Sequence, residues 1–230
     1  MKKKLVFSTG AGISAESGIK TFRDSNGLWE NYDVMEVASA DGFRRNPALV
    51  HEFYNQRRRQ LAETQPNAAH LGLVELEKDY DVYVITQNVD DLHERAGSKN
   101  ILHLHGELMN IRSLDPPYKT WKLKDHFFES TPDTLIEGRH VRPDIVFFQE
   151  AVPMIEPAVE LVAEADIFVV IGTTLVVYPA AALLQYVRPG TPIYYIDPNP
   201  ADVPANVHVI RKKASEGVAE LQRILARDHK

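Results

Sequence analysis

The chain has 230 residues, with 26 Lys plus Arg against 32 Asp plus Glu, a net charge of −6 and no cysteine. That length supports one sizeable core with a small appended subdomain, the acidic balance argues against a nucleic-acid-binding surface, and the lack of cysteine excludes disulfides, thiolate metal sites and cysteine nucleophiles together. No apolar run approaches the ~20 residues of a membrane span, and after Met1-Lys2-Lys3-Lys4 the apolar stretch ends at Phe7, short of the ~7–15 residues of a signal-peptide core, so a cytoplasmic protein is expected.

In chain order, the apolar run Leu5–Thr9 leads directly into Gly10-Ala11-Gly12-Ile13-Ser14-Ala15-Glu16-Ser17-Gly18, then Thr21, Phe22 and Arg23. Glycines where a first strand turns into a helix let the backbone approach a pyrophosphate, and the helix N-terminus offers free N–H groups. A dinucleotide-dehydrogenase fingerprint would need a third glycine where Ala15 stands; the next is Gly18, so that fold of chemistry fits poorly. Residues from about 31 to 65 are helical and amphipathic (Leu49, Phe53, Tyr54, Leu61) and carry the basic cluster Arg57-Arg58-Arg59. A helix over Asn67–Lys78 precedes the run Val82–Thr86, which opens onto Gln87-Asn88-Val89-Asp90-Asp91-Leu92-His93.

The run Asn100–Leu104 is followed by His105-Gly106-Glu107, and residues from about 110 to 141 are polar, aromatic and proline-containing. Further apolar runs at Ile145–Phe148, Ile167–Ile171 (leading into Gly172-Thr173-Thr174), Ile193–Asp197 and Val207–Ile210 alternate with helical patterns over Met154–Ala165, Tyr178–Tyr186 and Ser215–Arg227. Several runs are continuous, as expected for strands covered on both faces. The strand–helix alternation predicts an α/β fold built on a doubly wound parallel (Rossmann-like) sheet. Two stretches, 31–65 and 110–140, interrupt that pattern.

Three sets of side chains suggest chemistry. His105 is neutral near pH 7 and can take a hydroxyl proton, whereas His103, two residues away, is assigned no role. Asn88 and Asp90, two apart on an extended segment, can together read the acceptor and donors of a primary amide. Tyr54 and Arg57 are at (i, i+3) on one helix face, where a phenol and a planar guanidinium can clamp a carboxylate.

In their order and spacing, the Gly10–Arg23 loop, Gln87–His93, Leu102–Leu108, Arg142–Glu150 and Ile171–Leu175 closely resemble the sirtuins, NAD-dependent protein lysine deacylases, over nearly the whole chain. The resemblance implies a single unit whose NAD-binding sheet domain takes in about 1–30, 66–109 and 141–230, with a small domain formed by the two insertions. In that family the acyl oxygen of a modified lysine attacks C1′ of the nicotinamide ribose, nicotinamide leaves, and a histidine, here His105, activates a ribose hydroxyl. Free lysine and O-acyl-ADP-ribose result.

Asn88 and Asp90 match the pair that holds the nicotinamide carboxamide, with Val89 between them, and Gln87 would contact the ribose. Arg23 would lie near the phosphates, with Thr21, Phe22 and Trp29 completing the first loop's part of the NAD site. Gly172, Thr173 and Thr174 continue it. Tyr195, Ile196, Asp197, Asn199 and Ala214 fall near the adenosine. Phe53–Arg59 with Gln65–His70 resembles the branch that removes acidic acyl groups, so Tyr54 and Arg57 are expected to bind a succinyl or malonyl carboxylate, and Val146 and Phe147 to wall the lysine stem. The expected partners are acyl-lysine peptides or proteins, with no nucleic acid and no membrane, bound by a monomer.

Two departures stand out. Most sirtuins carry four zinc-binding cysteines in the second insertion; this segment has none, and its His126, His140, Asp115, Asp125, Asp133 and Glu137 lack a compact tetrahedral spacing, so no zinc is expected. Tyr118, Trp121, Leu123, Phe127, Phe128, Leu135 and Ile136 are expected to supply a small apolar core instead. Gln149 stands where most relatives have glycine. Two other functions remain open on the sequence: a protein ADP-ribosyltransferase, and a catalytically weak NAD or ADP-ribose sensor.

Overall fold

A computed structural model describes residues 2–20, 28–29, 32–175 and 177–227, with Leu28 and Trp29 given as backbone. In chain order its elements are β1 (Lys4–Thr9), α1 (Ala11–Ser14), β2 (Leu28–Trp29), β3 (Tyr32–Asp33), α2 (Val34–Val37), α3 (Ala40–Arg45) and α4 (Pro47–Glu63). Then come α5 (Ala68–Leu76), β4 (Asp81–Thr86), α6 (Leu92–Ala96), β5 (Ile101–His103), β6 (Gly106–Ser113), β7 (Thr120–Lys122), β8 (Leu135–Ile136) and β9 (Arg139–Ile145). The chain ends with α7 (Ile155–Ala163), β10 (Ile167–Ile171), a 3₁₀ stretch at Ala180–Tyr186, β11 (Ile193–Ile196), β12 (Val207–Ile210) and α8 (Ala214–Arg227).

Six strands form a parallel sheet in the order β12-β11-β10-β1-β4-β5. Leu5, Phe7, Val82, Val84, Val169 and Ile171 point to the face covered by α5 and α8. Their neighbours Val6, Ile85, Phe168 and Val170 point to the face covered by α7 and the 3₁₀ stretch. Both faces are dry, which is why these strands read as unbroken apolar runs. The helices fit the same logic. Asn67 caps α5 in a capping box with His70, Pro47 starts α4 behind an Asn46 cap, and Val218, Leu221 and Leu225 of α8 are buried at helical spacing. Each such burial contributes roughly 1.5–3 kcal/mol.

A second, antiparallel sheet, β7-β6-β9-β8, packs its Leu108, Met109, Ile111 and Val141 against Val50, Phe53, Tyr54 and Leu61 of α4. Its strands β6 and β9 start and end inside the stretches 66–109 and 141–230 that the sequence assigns to the sheet domain. The run Ile145–Phe148 is therefore not a strand of the parallel sheet. Ile145 ends β9, and the next residues turn back, with Glu150 N donating to Phe147 O at 3.0 Å.

The apolar core expected for the second insertion is only partly present. Leu123 is buried and Trp121, Phe128 and Ile136 lean on the α4 core, but Tyr118, Phe127 and Leu135 are 67%, 63% and 55% exposed. Polar groups of α4 take over. Asn55 Nδ2 donates to Ser130 O at 2.9 Å, Ser130 N donates to Asn55 Oδ1 at 3.0 Å, His51 Nδ1 lies 2.8 Å from Ser130 Oγ, and Arg58 Nε donates to Phe128 O at 3.1 Å. No helix among the described residues is long and apolar enough to cross a membrane.

Candidate active site

The parallel sheet reverses its winding between β1 and β10, and open α/β sheets bind ligands at the carboxyl ends of strands at that point. Here the two loops lie backbone to backbone. Gly10 N donates to Ile171 O at 3.0 Å and Gly12 N to Gly172 O at 2.8 Å. A Cβ on Gly12 would come within 2.5 Å of Gly172 Cα, and Gly172 itself has φ +62°, a conformation that side chains disfavour. The helix expected after β1 is a single turn, α1, followed by a 3₁₀ turn Ala15–Ser17 and left-handed Gly18. Asn67 braces this loop, its Nδ2 donating to Ile13 O at 2.8 Å and Ser17 Oγ at 3.0 Å.

Residues 87–90, just past the end of β4, run alongside the glycine loop. Asn88 Nδ2 donates to Gly10 O and Ser14 Oγ, both at 3.2 Å, and Ser14 Oγ donates to Asp90 Oδ2 at 3.0 Å. Burial pushes the Asp90 carboxyl up to about 6, against the opposing hydrogen bonds from Leu92 N and Ser14. Gln87 Nε2 donates to Thr173 Oγ1 at 3.3 Å, tying the 87–90 segment to the third loop.

His105 follows β5. Its Nδ1 lies 3.0 Å from the Gln87 carbonyl; a carbonyl only accepts, so Nδ1 carries the proton and Nε2 keeps a basic lone pair. Burial lowers the imidazole's pKa, outweighing the Gln87 bond.

A cavity of about 560 Å³ opens between the two sheets. It gathers Ala11, Gln87, Asn88, Val89, Asp90, His105 and Thr174 with all four expected substrate residues, Tyr54, Arg57, Val146 and Phe147. Tyr54 is wholly buried, stacked at 6.1 Å on Phe147, and burial holds its hydroxyl protonated far above neutral pH. Arg142 also stacks on Phe147 at 4.0 Å and makes a two-pronged ion pair with Glu150, both contacts 2.8 Å, while Glu150 accepts Phe147 N at 2.8 Å.

Gln149 sits at φ +76° on the cavity rim, its amide paired with Asp41 of α3 at 2.7 Å. Phe148 bonds through its backbone to Ala38 and Ala40, so one edge of that segment is already paired.

Of the remaining expected cofactor residues, the described ones lie in the glycine loop and at the neighbouring strand ends and are not among those lining this cavity. Gly172 N donates to Ile196 O at 3.0 Å, Asp197 accepts from Asn199 N at 2.8 Å, and Glu16 accepts from Ser215 N, next to Ala214, at 2.9 Å. Tyr195 and Ile196 have no exposed surface. The Tyr195 hydroxyl donates to Thr173 O at 2.7 Å, so its side chain supports the loop from below. Thr21, Phe22 and Arg23 lie outside the described residues, as does the side chain of Trp29.

Gln60 and Leu61 of α4 also line the cavity, as do Val177, Tyr178 and Pro179. The first two continue the Tyr54–Arg57 face at i+3 and i+4 from Arg57, a signal the sequence offered; the last three become neighbours only through the fold.

Comparison with known proteins agrees with this geometry. A model of the Sir2 family matches residues 10–179. An NAD-dependent protein deacylase of Bacteroides thetaiotaomicron is 55% identical over 229 residues, covering 97% of this chain and 98% of that protein. One of Helicobacter pylori is 52% identical over 221 residues, covering 95% and 96%. Among solved structures, a Sir2 homologue in complex with NAD superposes with a TM-score of 0.88 at 38% identity, covering 100% of this chain and 91% of that one. A Sir2 protein bound to an acetylated peptide gives 0.80 at 29% identity, covering 98% and 94%. With its switch-point glycine loops, the Gln87–Asp90 segment and His105 gathered around one cleft, this chain belongs to the Sir2 family, the sirtuins.

Proposed function

We propose that this protein, an NAD-dependent protein deacylase, acts on lysines carrying acidic acyl groups, succinyl and malonyl ahead of acetyl. The observation that carries the acyl preference is that Tyr54 and Arg57 line the same cavity as His105, Asn88 and Asp90. A guanidinium there can take a carboxylate through two parallel hydrogen bonds, and the protonated Tyr54 hydroxyl can donate a third. Val146 and Phe147 would pack along the aliphatic lysine stem.

NAD, when bound, supplies a ribose carbon activated by nicotinamide as leaving group. The residues present suit it. The Gly10, Gly12 and Gly172 backbones leave no room for a Cβ on the facing loop, and Asn88 with Asp90 offers the donor and acceptors that a carboxamide needs. Ala11, Ile13, Ser14, Ala15, Glu16, Ser17 and Gly18 would border the phosphates with Thr21, Phe22, Arg23 and Trp29. Gln87, Thr173 and Thr174 would take the nicotinamide ribose, and the residues about Asp197, Asn199 and Ala214 the adenosine. His105, neutral and with Nε2 unprotonated, would accept the ribose hydroxyl proton. The second insertion would hold without zinc, because His126 is paired with Asp91 at 2.9 Å and His140 with the Pro132 carbonyl at 3.1 Å.

The test is mass spectrometry of succinyl-, malonyl- and acetyl-lysine peptides incubated with the protein, with and without NAD. NAD-dependent loss of acidic acyl groups ahead of acetyl supports the reading. Arg57→Met should then slow desuccinylation by about tenfold or more, the size of a lost charge-assisted hydrogen bond, while leaving deacetylation nearly unchanged. Equal or better acetyl removal would discard the clamp, and ADP-ribosylated protein without deacylation would favour a transferase.

A further inference from the structure

We infer that His103 is a positioning residue of the NAD site, holding the Asn88 carbonyl and, through it, the segment that carries Asn88 and Asp90. This rests on the reading of those two residues as the nicotinamide-binding pair. His103 closes β5 in register with Thr86. Its ring is almost wholly buried, with Nδ1 3.0 Å from Asn88 O and Nε2 2.7 Å from Glu94 Oε1 of α6. His105, two residues on, holds the preceding carbonyl, that of Gln87. Two histidines two residues apart thus grip two successive carbonyls of the loop that faces the cavity.

The partners fix the protonation state of His103. A carbonyl and a carboxylate both accept, so both ring nitrogens must carry protons; a neutral ring would set a lone pair against one of them. The ring is therefore the cation between Glu94 and Glu107 of β6, each with a carboxylate oxygen within 4.8 Å of a ring nitrogen. Burial opposes that charge, but the Glu94 bond and the charges of Glu94 and Glu107 outweigh it and raise the His103 pKa above the ordinary 6.5. His93 on α6, Asp90 on the loop and Lys122 on β7 also face this group. Of these, Lys122 and His93 work against the charge on His103, and burial keeps His93 neutral.

Deprotonating His103 leaves one N–H for two acceptors; the bond to the Glu94 carboxylate is the stronger and is kept, so a ring lone pair faces the Asn88 carbonyl. Two histidines two residues apart thus titrate on opposite sides of their usual value: His105, lowered, must lose its proton to work, and His103, raised, must keep its own.

The test measures NAD binding by calorimetry against pH, together with the imidazole titration by nuclear magnetic resonance. In the wild type, one histidine should titrate above 6.5 and NAD affinity should fall as pH rises through that value. His103→Phe should weaken NAD binding about tenfold, one lost hydrogen bond's worth (about 1.4 kcal/mol), with the KM for acyl peptide unchanged. His103→Asn, which puts a neutral donor near the Nδ1 position, should restore much of the affinity and abolish the alkaline fall; it also serves if the Phe variant does not fold. Glu94→Gln should move the fall about one pH unit or more toward acid. NAD affinity unaltered in His103→Phe, or an alkaline fall retained in His103→Asn, overturns the inference. A wild type that binds no NAD at any pH would overturn the underlying assignment of the site instead.

Discussion

Arg57, Arg58 and Arg59 are consecutive, so they point about 100° apart around α4, and they meet three different fates. Arg57 lines the cavity and stacks at 4.8 Å on Phe53. Arg58 is wholly buried, with burial bringing its pKa down to about 10, and it also holds Asn55. Arg59 is an ordinary surface charge between Glu52 and Glu129. The sequence marks the triplet as basic, but only the helix phase separates a ligand contact from a structural cation. His105 carries the sharper prediction at this scale. His105→Ala should abolish turnover, while NAD binding, read by calorimetry, persists and is weakened at most about tenfold by the lost bond to the Gln87 carbonyl. Its lowered pKa places the rising limb of kcat/KM below pH 6.5, overlapping the ionisation of Asp90 near 6. A limb above 6.5 in the wild type would remove His105 as the base.

At the level of elements, the second insertion shows how a subdomain can be held by one buried amide. Asn55 pairs both the N–H and the C=O of Ser130 and also accepts from Arg58. Asn55→Ala would strand two backbone groups and part of a buried guanidinium, each unsatisfied group costing ~1–3 kcal/mol. We expect a loss on the order of 3 kcal/mol in denaturant unfolding, with Ser130→Ala milder because it loses only the His51 contact. Equal stability of Asn55→Ala and wild type would show that the exposed aromatics do the holding after all.

None of this grip was legible in the sequence, where a polar Asn-x-x-Arg helix face reads as solvated. Tyr118, Phe127 and Leu135 failed as core candidates for the converse reason: apolar content locates an insertion but not which side of its short strands is covered. The Gly10–Gly18 loop, Gln87–Asp90 and His105 were legible because each is a local motif at the end of a strand. A prediction for the glycine loop follows from packing alone. Gly12→Ala would place its Cβ 2.5 Å from Gly172 Cα, so one loop must move, and NAD affinity should fall by about tenfold or more with His105 untouched.

On the scale of the whole molecule, the switch point fixes where the ligand lies, and the same strand ends bury several histidines that have to stay neutral. His70 of α5 packs edge-on at 4.9 Å against His93 of α6, which reaches Thr9 Oγ1 at 3.1 Å. His51 lies in the grip on the insertion. Burial lowers His51 and His70 to about 4 and His93 well below 6.5. In the unfolded chain all three take up protons near 6.5, so between there and about 4 the unfolded state binds more protons than the folded one. Stability is therefore fully present above 6.5 and drains as pH falls. His103 runs the other way, its contribution complete below 6.5 and lost as pH rises through its raised value. Asp90, raised to about 6, opposes the fall between there and its ordinary 3.8, but the three lowered histidines together outweigh it on the acid side. A shift of this size corresponds to at most about 3 kcal/mol for His70 alone, a large share of the ~5–15 kcal/mol that holds a domain. Thermal unfolding without ligand should therefore show Tm falling steeply from pH 6.5 toward 4. His70→Asn, whose side-chain oxygen can still accept from Asn67 N, should start lower at pH 7 but fall less steeply. If the variant and the wild type lose stability at the same rate on acidification, buried neutral histidines are not what makes this fold acid-sensitive.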